Sequence, residues 1–333
     1  MGSEFSLVTT KTPLRITFTG GGTDLMDYYR AHGPGAVVSA TINKYIYITV
    51  TKNFYPDEIR VSYSKNEDKL KSVDEIEHPT VREALKMLGI KSGIQIVSIG
   101  EIPSRGTGLG SSSSFLVGLL YALHTWLAEP VSQEQLAREA FHIEREVLKE
   151  EGGKQDQYIS AYGGLRLMEF NSDESVSMKP IILRNDKREL LHSSLLMFYT
   201  GRERDSTIIH KEQAKSIEDK LDIYDQMRDI AYKTYEAIAK CDIEELGRLM
   251  DLNWQLKKQL AEGISDPAID SYYEKAIKAG ALGGKIMGAG GGGFLLFVAP
   301  EEKHKDIARA LQLRQEPFRL DPLGSRIVSM EDE

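Results

Sequence analysis

The sequence predicts a mixed α/β protein in two domains, on three observations. Its 333 residues exceed one ordinary domain at ~100–200 residues each. Leu14-Arg15-Ile16-Thr17-Phe18-Thr19 alternates apolar and polar with the period of a strand, whereas Leu136, Ala137, Ala140, Phe141, Ile143, Val147 and Leu148 recur with the period of a helix. Near residues 185–190 the pattern changes from interleaved strands and helices to mostly helices with one late strand. The division is therefore placed to give domains 6–188 and 189–333. Met1-Gly2-Ser3-Glu4-Phe5 reads like a cloning scar and is set aside.

The elements run in order along the chain. The strand at 14–19 puts Arg15, Thr17 and Thr19 on one face and leads into the turn Gly20-Gly21-Gly22-Thr23-Asp24. Residues 36–51, rich in Val, Ile, Tyr and Thr, read as one or two strands. Thr80 to Leu88 is a short helix and Ile94 to Ile99 a strand. Phe115 to Leu127 is apolar all round and predicts a buried helix. Ser132-Gln133-Glu134-Gln135 resembles a capping box opening a helix to about Glu150. Strands are expected at 163–170 and 195–200, helices across 205–240, 243–260 and 267–279, a strand at 294–298 and a last helix at 301–313.

Composition narrows the function. Lys plus Arg number 42 against 50 Asp plus Glu, a net charge of -8, which argues against a nucleic-acid coat or a binder of anionic membranes. The lone Cys241 excludes an intrachain disulfide and a cysteine-rich zinc site, and fits a reducing, cytoplasmic setting. No apolar run is long enough to span a bilayer, and no signal peptide is read at the start.

Eighteen of the 29 glycines fall in four clusters, at 20–22, 106–110, 152–164 and 280–293. Such clusters mark close backbone approach or left-handed backbone as well as flexible loops. The Walker A pattern is absent. Gly106, Gly108 and Gly110 follow a strand and precede a helix, but the next element is another helix and no acidic residue ends a second strand, which argues against a dinucleotide fold. The segment still has the makings of an anion site, with small residues, a helix N-terminus and the hydroxyls of Ser111 to Ser114. Capping alone needs only one of those serines.

On the helix expected at 132–150, Glu144 falls in the middle of the apolar arc. A carboxylate there must be paired, protonated or bound to a cation, so it is a salt bridge to a core arginine, a metal ligand or a perturbed acid. Asp156 lies beyond it, within Gly152-Gly153-Lys154-Gln155-Asp156-Gln157.

Pro103-Ser104-Arg105-Gly106-Thr107-Gly108-Leu109-Gly110-Ser111-Ser112 resembles the phosphate-binding motif of the GHMP small-molecule kinases, which include galactokinase, homoserine kinase and mevalonate kinase. Pro13-Leu14-Arg15 through Asp24 resembles that family's N-terminal substrate motif, and Lys285 to Phe294 its C-terminal glycine motif. The three lie in family order from residue 13 to 294. Gly20-Gly21-Gly22-Thr23-Asp24 and Gly153-Lys154-Gln155-Asp156-Gln157 look most like the branch acting on D-glycero-D-manno-heptose 7-phosphate. Galactokinases carry Gly-Glu-His-Thr-Asp where this chain has Gly20 to Asp24, which puts galactose in doubt.

The resemblance implies an N-terminal ribosomal-protein-S5-like domain and a C-terminal ferredoxin-like domain, ATP and Mg²⁺ as cofactors, and a small sugar or sugar phosphate as acceptor. It implies phosphate binding by residues 103–112, metal ligation by Ser112 and Glu144, and a catalytic role for Asp156 supported by Arg15. Gly21, Gly22, Thr23 and Asp24 would meet the sugar, with Gly290 and Gly291 closing the site and Lys154 as an anion contact. Arg202 and Arg204 would hold a distal phosphate. Rival expectations are a galactokinase-like, mevalonate- or homoserine-type kinase, or a non-catalytic ligand sensor. The intact set Arg15, Ser112, Glu144 and Asp156 argues against the sensor.

Overall fold

The computed structural model describes residues 5–103, 106–203 and 206–332. Ser104, Arg105 and Arg204, expected to hold phosphates, lie outside the described residues.

The first half of the chain builds one sheet from β1 (Phe5–Thr19), β2 (Gly35–Lys52), β3 (Ile59–Ser62), β4 (Asn66–Leu70), β5 (Ile94–Gly100), β6 (Leu165–Phe170) and β7 (Val176–Pro180). The second half builds another from β8 (Leu195–Tyr199), β9 (Gly283–Ile286), β10 (Phe294–Val298) and β11 (Arg314–Gln315), and a last strand, β12 (Arg326–Asp332), returns to pair with β1. The sheet orders are β12-β1-β2-β5-β3-β4, with β6 and β7 continuing from β2, and β11-β8-β10-β9. The expected cut at 188/189 falls inside a helix, Asn185–Ser193. The return of β12 also means that residues 326–332 belong with the first sheet rather than the second. That strand is mostly exposed, so it lacks the half-buried alternation that reveals a strand in sequence.

The helices are α1 (Met26–His32), α2 (Pro79–Met87), α3 (Ser111–Trp126), α4 (Gln133–Phe141), α5 (Gln155–Tyr162), α6 (Asn185–Ser193), α7 (Ser206–Lys215), α8 (Leu221–Lys240), α9 (Ile243–Lys257), α10 (Pro267–Lys278) and α11 (His304–Leu311). The 36–51 region is a single strand, β2, long enough to pair with β6 at one end and β5 at the other. As its composition predicts, α3 is buried, and it packs on β1 and β2 and against α4 and α5. Strand β1 is buried at alternate residues up to Thr12 and at every residue from Pro13 on. At the end of that stretch the second half of the chain reaches the sheet, with Lys285 Nζ donating to Thr17 O and Asn253 Oδ1 accepting from Gly20 N. The two halves therefore meet over the end of β1 that carries Arg15 and Thr17.

The 132–150 segment departs from a regular helix. Ser132 Oγ caps α4 by accepting from Gln135 N at 3.1 Å, but Gln135 Nε2 turns to Glu139 instead of reaching back to the cap. From His142 to Val147 the chain widens into a π-helical turn. The extra residue per turn shifts the phase of the later positions, so Val147, placed in the apolar arc by a regular period, is exposed.

Candidate active site

Three backbone segments converge on the buried end of β1. The first is the glycine loop before α3. Its backbone is tied to β1 by Arg15 N donating to Leu109 O at 3.0 Å. Gly108 and Gly110 have φ of +75°, a left-handed backbone that β-carbons disfavour. A β-carbon on Gly108 would also lie 2.5 Å from Met287 O, so the loop is pressed against the second half of the chain. There the turn from Met287 to Phe294 clasps it, with Phe294 N donating to Thr107 O at 3.3 Å.

The serines opening α3 do not cap it by their side chains. Ser112 Oγ donates to Glu144 Oε1 at 3.0 Å, Ser113 Oγ to Oε2 at 2.8 Å, and Ser114 Oγ to Pro13 O at 3.0 Å. Glu144 is 1% exposed, as its place on the apolar arc requires. Its main partners are neutral donors, the two serines and Gln157 Nε2, rather than a core arginine. Arg145 Nη2 stands 3.8 Å off. Ser112, by contrast, is exposed beside the glycine loop.

The second segment is the start of α5. Arg15 closes on Asp156 as a fork, Nε to Oδ1 at 2.7 Å and Nη2 to Oδ2 at 2.8 Å, and its Nη1 donates to Gly108 O. A bidentate guanidinium fixes the plane of the carboxylate as well as its position. Asp156 remains open to the cavity on one side, with its side chain 22% exposed.

The third segment is the turn after β1. Asp24 Oδ1 accepts from Gly22 N at 2.9 Å, and Oδ2 from Gln155 N at 3.2 Å. The carboxylate rests in space that only glycine leaves, because a β-carbon on Gly153 would stand 1.8 Å from Oδ2.

Arg15 and the second and third segments line one cavity with Thr17, Gly21, Gly22 and Arg145 from the first half, and Gln213, Lys257, Lys285 and Gly288 from the second. Arg15, Asp24, Asp156, Gly21 and Gly22 are thus brought together as expected. Five expected contact residues lie elsewhere. Thr23 is buried under the turn, its hydroxyl bonded to the backbone of Gly20 and Ala36. Lys154 turns away, its ammonium 2.5 Å from Glu174 Oε2 and over the Phe141 ring. Arg202 pairs with Asp266 at 2.7 Å, at the surface. Gly290 and Gly291 pack on the backbone of Ile264, and it is Gly288 that reaches the cavity.

Sequence reasoning misses Lys257 and Lys285, which are 4% and 1% exposed. Lys257 Nζ donates to Gly288 O at 2.6 Å, and Lys285 Nζ to Thr17 O at 3.2 Å. Burial lowers both, Lys257 to about 8 and Lys285 well below the ordinary lysine range. Lys285 enters the sequence pattern only as the first residue of a glycine motif. A cation inside the strand Gly283-Gly284-Lys285-Ile286 is the signal that could have singled it out.

Comparison with known proteins places this chain in a family. The N-terminal domain of the GHMP kinases matches residues 77–164 and the C-terminal domain matches 234–315. The chain is 31% identical, over 92% of its length and 94% of the relative's, to a D-glycero-alpha-D-manno-heptose 7-phosphate kinase of Campylobacter jejuni. It superposes on a D-glycero-D-manno-heptose 1-phosphate kinase of Bacteroides thetaiotaomicron with a TM-score of 0.77 and 27% identity, covering 97% of this chain and 99% of that one. Lactococcus lactis galactokinase shares the fold at a TM-score of 0.76 and 18% identity, with 96% and 95% covered. Two family domains, nearly full-length similarity and a shared two-sheet architecture agree, and the chain belongs to the GHMP kinase family and is a kinase.

Proposed function

We propose that this kinase transfers the γ-phosphoryl group of ATP to the anomeric hydroxyl of D-glycero-D-manno-heptose 7-phosphate, giving the 1,7-bisphosphate, in the cytoplasm. The observation that carries the reading is the Arg15–Asp156 fork, set between the glycine loop and Asp24. Gly110 abuts it so closely that a β-carbon there would stand 3.3 Å from Asp156 Oδ2. A phosphoryl group on the loop and a hydroxyl on Asp24 would therefore meet beside Asp156. The names of the relatives from Campylobacter and Bacteroides support a heptose phosphate as the acceptor.

Each residue then has a physical task. The glycine loop offers backbone N–H groups at the start of α3, where partial positive charge favours phosphate. Asp24 accepts from sugar hydroxyls and sets the ring's orientation. Asp156 accepts the proton of the anomeric hydroxyl, which is more acidic than an ordinary alcohol, or holds that hydroxyl in line for attack. Arg15 fixes Asp156 and adds positive charge where the transferring group carries negative charge.

Ser112 and Glu144 suit Mg²⁺. They would offer it hard oxygen donors, an exposed serine hydroxyl beside the glycine loop and the carboxylate that it contacts. When bound, the ion would neutralise charge on the nucleotide phosphates.

A coupled ADP-release assay over heptose 7-phosphate, the unphosphorylated heptose, galactose, mevalonate and homoserine tests the assignment. The expected result is a kcat/KM for heptose 7-phosphate at least tenfold above the rest. Higher turnover of any other acceptor overturns it.

A further inference from the structure

The second half of the chain gives the cavity a wall made of donors. Lys257 stands at the end of α9, Lys285 in β9 and Gln213 in α7, and all three line the same space. Among the described residues, no carboxylate lies within salt-bridge distance of either lysine. Gln213 is 2% exposed, and its Nε2 is buried with no hydrogen-bond partner. A buried donor without an acceptor costs free energy, and a buried ammonium costs more. The backbone carbonyls of Gly288 and Thr17 satisfy one hydrogen of each ammonium but neutralise no charge.

The balance of charge around the cavity says what the wall awaits. Its lining carries Arg15, Arg145, Lys257 and Lys285 against Asp24 and Asp156. Arg15 is matched by Asp156 directly, while Asp24 is held by amides. Among the described residues of the lining, basic side chains outnumber acidic ones although the whole chain carries -8, so the basic character is local to the cavity.

We propose that Lys257, Lys285 and Gln213 form an anion site that binds phosphoryl oxygens in this cavity. The proposal rests on the cavity being the kinase's acceptor site and adds to that reading the class of group the site takes. Two groups in the reaction have this chemistry, the phosphoryl group in transfer and a phosphate already on the acceptor. Lys257 reaches toward the first, because the Gly288 carbonyl it holds belongs to the turn pressed on Gly108 of the glycine loop. Gln213 lies toward the second, beside Tyr224, which packs on Gly22 of the acceptor turn.

The test uses inorganic phosphate as probe, with ADP and Mg²⁺ present to fill the glycine loop, and reads melting temperature against phosphate concentration. Wild type is expected to be stabilised by phosphate, with K257M, K285M and Q213E each weakening the apparent affinity about tenfold or more, as loss of a charged hydrogen bond does. Q213E needs no lysine removed, so it serves if a buried lysine proves necessary for folding. Variants that melt lower but keep phosphate affinity within twofold would show a merely structural role and overturn the site. Kinetics then separate the two sources. A KM rise confined to heptose 7-phosphate assigns the site to the acceptor's phosphate. An equal fall in kcat for the phosphorylated and unphosphorylated heptose assigns it to the group in transfer. Unchanged kinetics on both overturn the proposal. If wild type turns over neither heptose, the acceptor assignment fails while the phosphate titration still decides the site.

Discussion

On one side of the cavity Arg15 closes on Asp156, and just beside it Glu144 is met by Ser112, Ser113 and Gln157. Across from them, among the described residues, Lys257 and Lys285 hydrogen-bond only to backbone carbonyls. The first wall is assembled before any ligand arrives, since each of its charges is already held by a partner within the protein. The second is assembled for a ligand, since its charges have nothing to hold. Preorganised groups suit the step where a proton and a phosphoryl group move, and an unmatched cationic wall suits capture of an anion. The cavity joins these two roles only because the second half of the chain packs over the end of β1.

Breaking the assembled wall is expected to have the largest effect. Asp156→Asn keeps the shape but offers Arg15 a weaker acceptor and removes the carboxylate from the hydroxyl. Turnover should fall by ~10²–10⁴, the range for a positioned acid or base, with nucleotide affinity nearly unchanged. Turnover within threefold of wild type would remove Asp156 from catalysis. Next is Glu144→Ala, which takes an oxygen from the metal site and the acceptor from three donors. The Mg²⁺ concentration for half-maximal rate should rise about tenfold or more, and unfolding should show a loss of ~1–3 kcal/mol. Glu144→Gln preserves volume and separates the two effects, because it should restore most of the stability and not the metal response. An unchanged magnesium titration in both variants would place the ion elsewhere.

The two walls also differ in how far they can be read from sequence. Glu144 is legible because a carboxylate in an apolar helical arc contradicts its surroundings, and that contradiction survives a local change of helix type. Val147 is misplaced because the π-turn adds a residue that no single-period reading anticipates. Lys257 is hidden by its context. A Lys-Lys pair at a helix C-terminus is what the helix dipole favours on any surface helix. Only packing shows that Lys257 is buried in the cavity while Lys258 lies outside, 3.4 Å from Asp270. Strand β12 stays hidden because it is an exposed edge strand paired across the length of the chain.

Lys257 sharpens the comparison through pH. Its folded-state value of about 8 lies below the ordinary 10.5, so carrying the proton costs the folded state below about pH 8. That cost is relieved as pH rises from about 8 toward 10.5. The groups facing it are Arg15 on β1, Asp24, Asp156 on α5 and Lys285 on β9, and Lys285 shifts in the same direction. In a K285M background, wild-type Lys257 should therefore gain stability relative to K257M over that interval in anion-free buffer. Phosphate affinity should fall as pH rises through the same range. A stability difference that stays flat across it would mean that Lys257 titrates normally.

The smallest effect is expected at Arg202, where the sequence suggests a phosphate contact. Its guanidinium is already paired with Asp266, and that carboxylate caps α10 by accepting from Ala268 N and Ile269 N. To reach a phosphate it would have to leave a partner that the helix holds in place, and it does not line the cavity. Arg202→Ala should thus change KM for heptose 7-phosphate by less than threefold. Its effect on stability should stay within about 1 kcal/mol, as for an exposed ion pair. A tenfold rise in KM for the phosphorylated sugar, with the unphosphorylated sugar unaffected, would return the distal phosphate to Arg202. It would also leave Lys257 and Lys285 to the group in transfer alone.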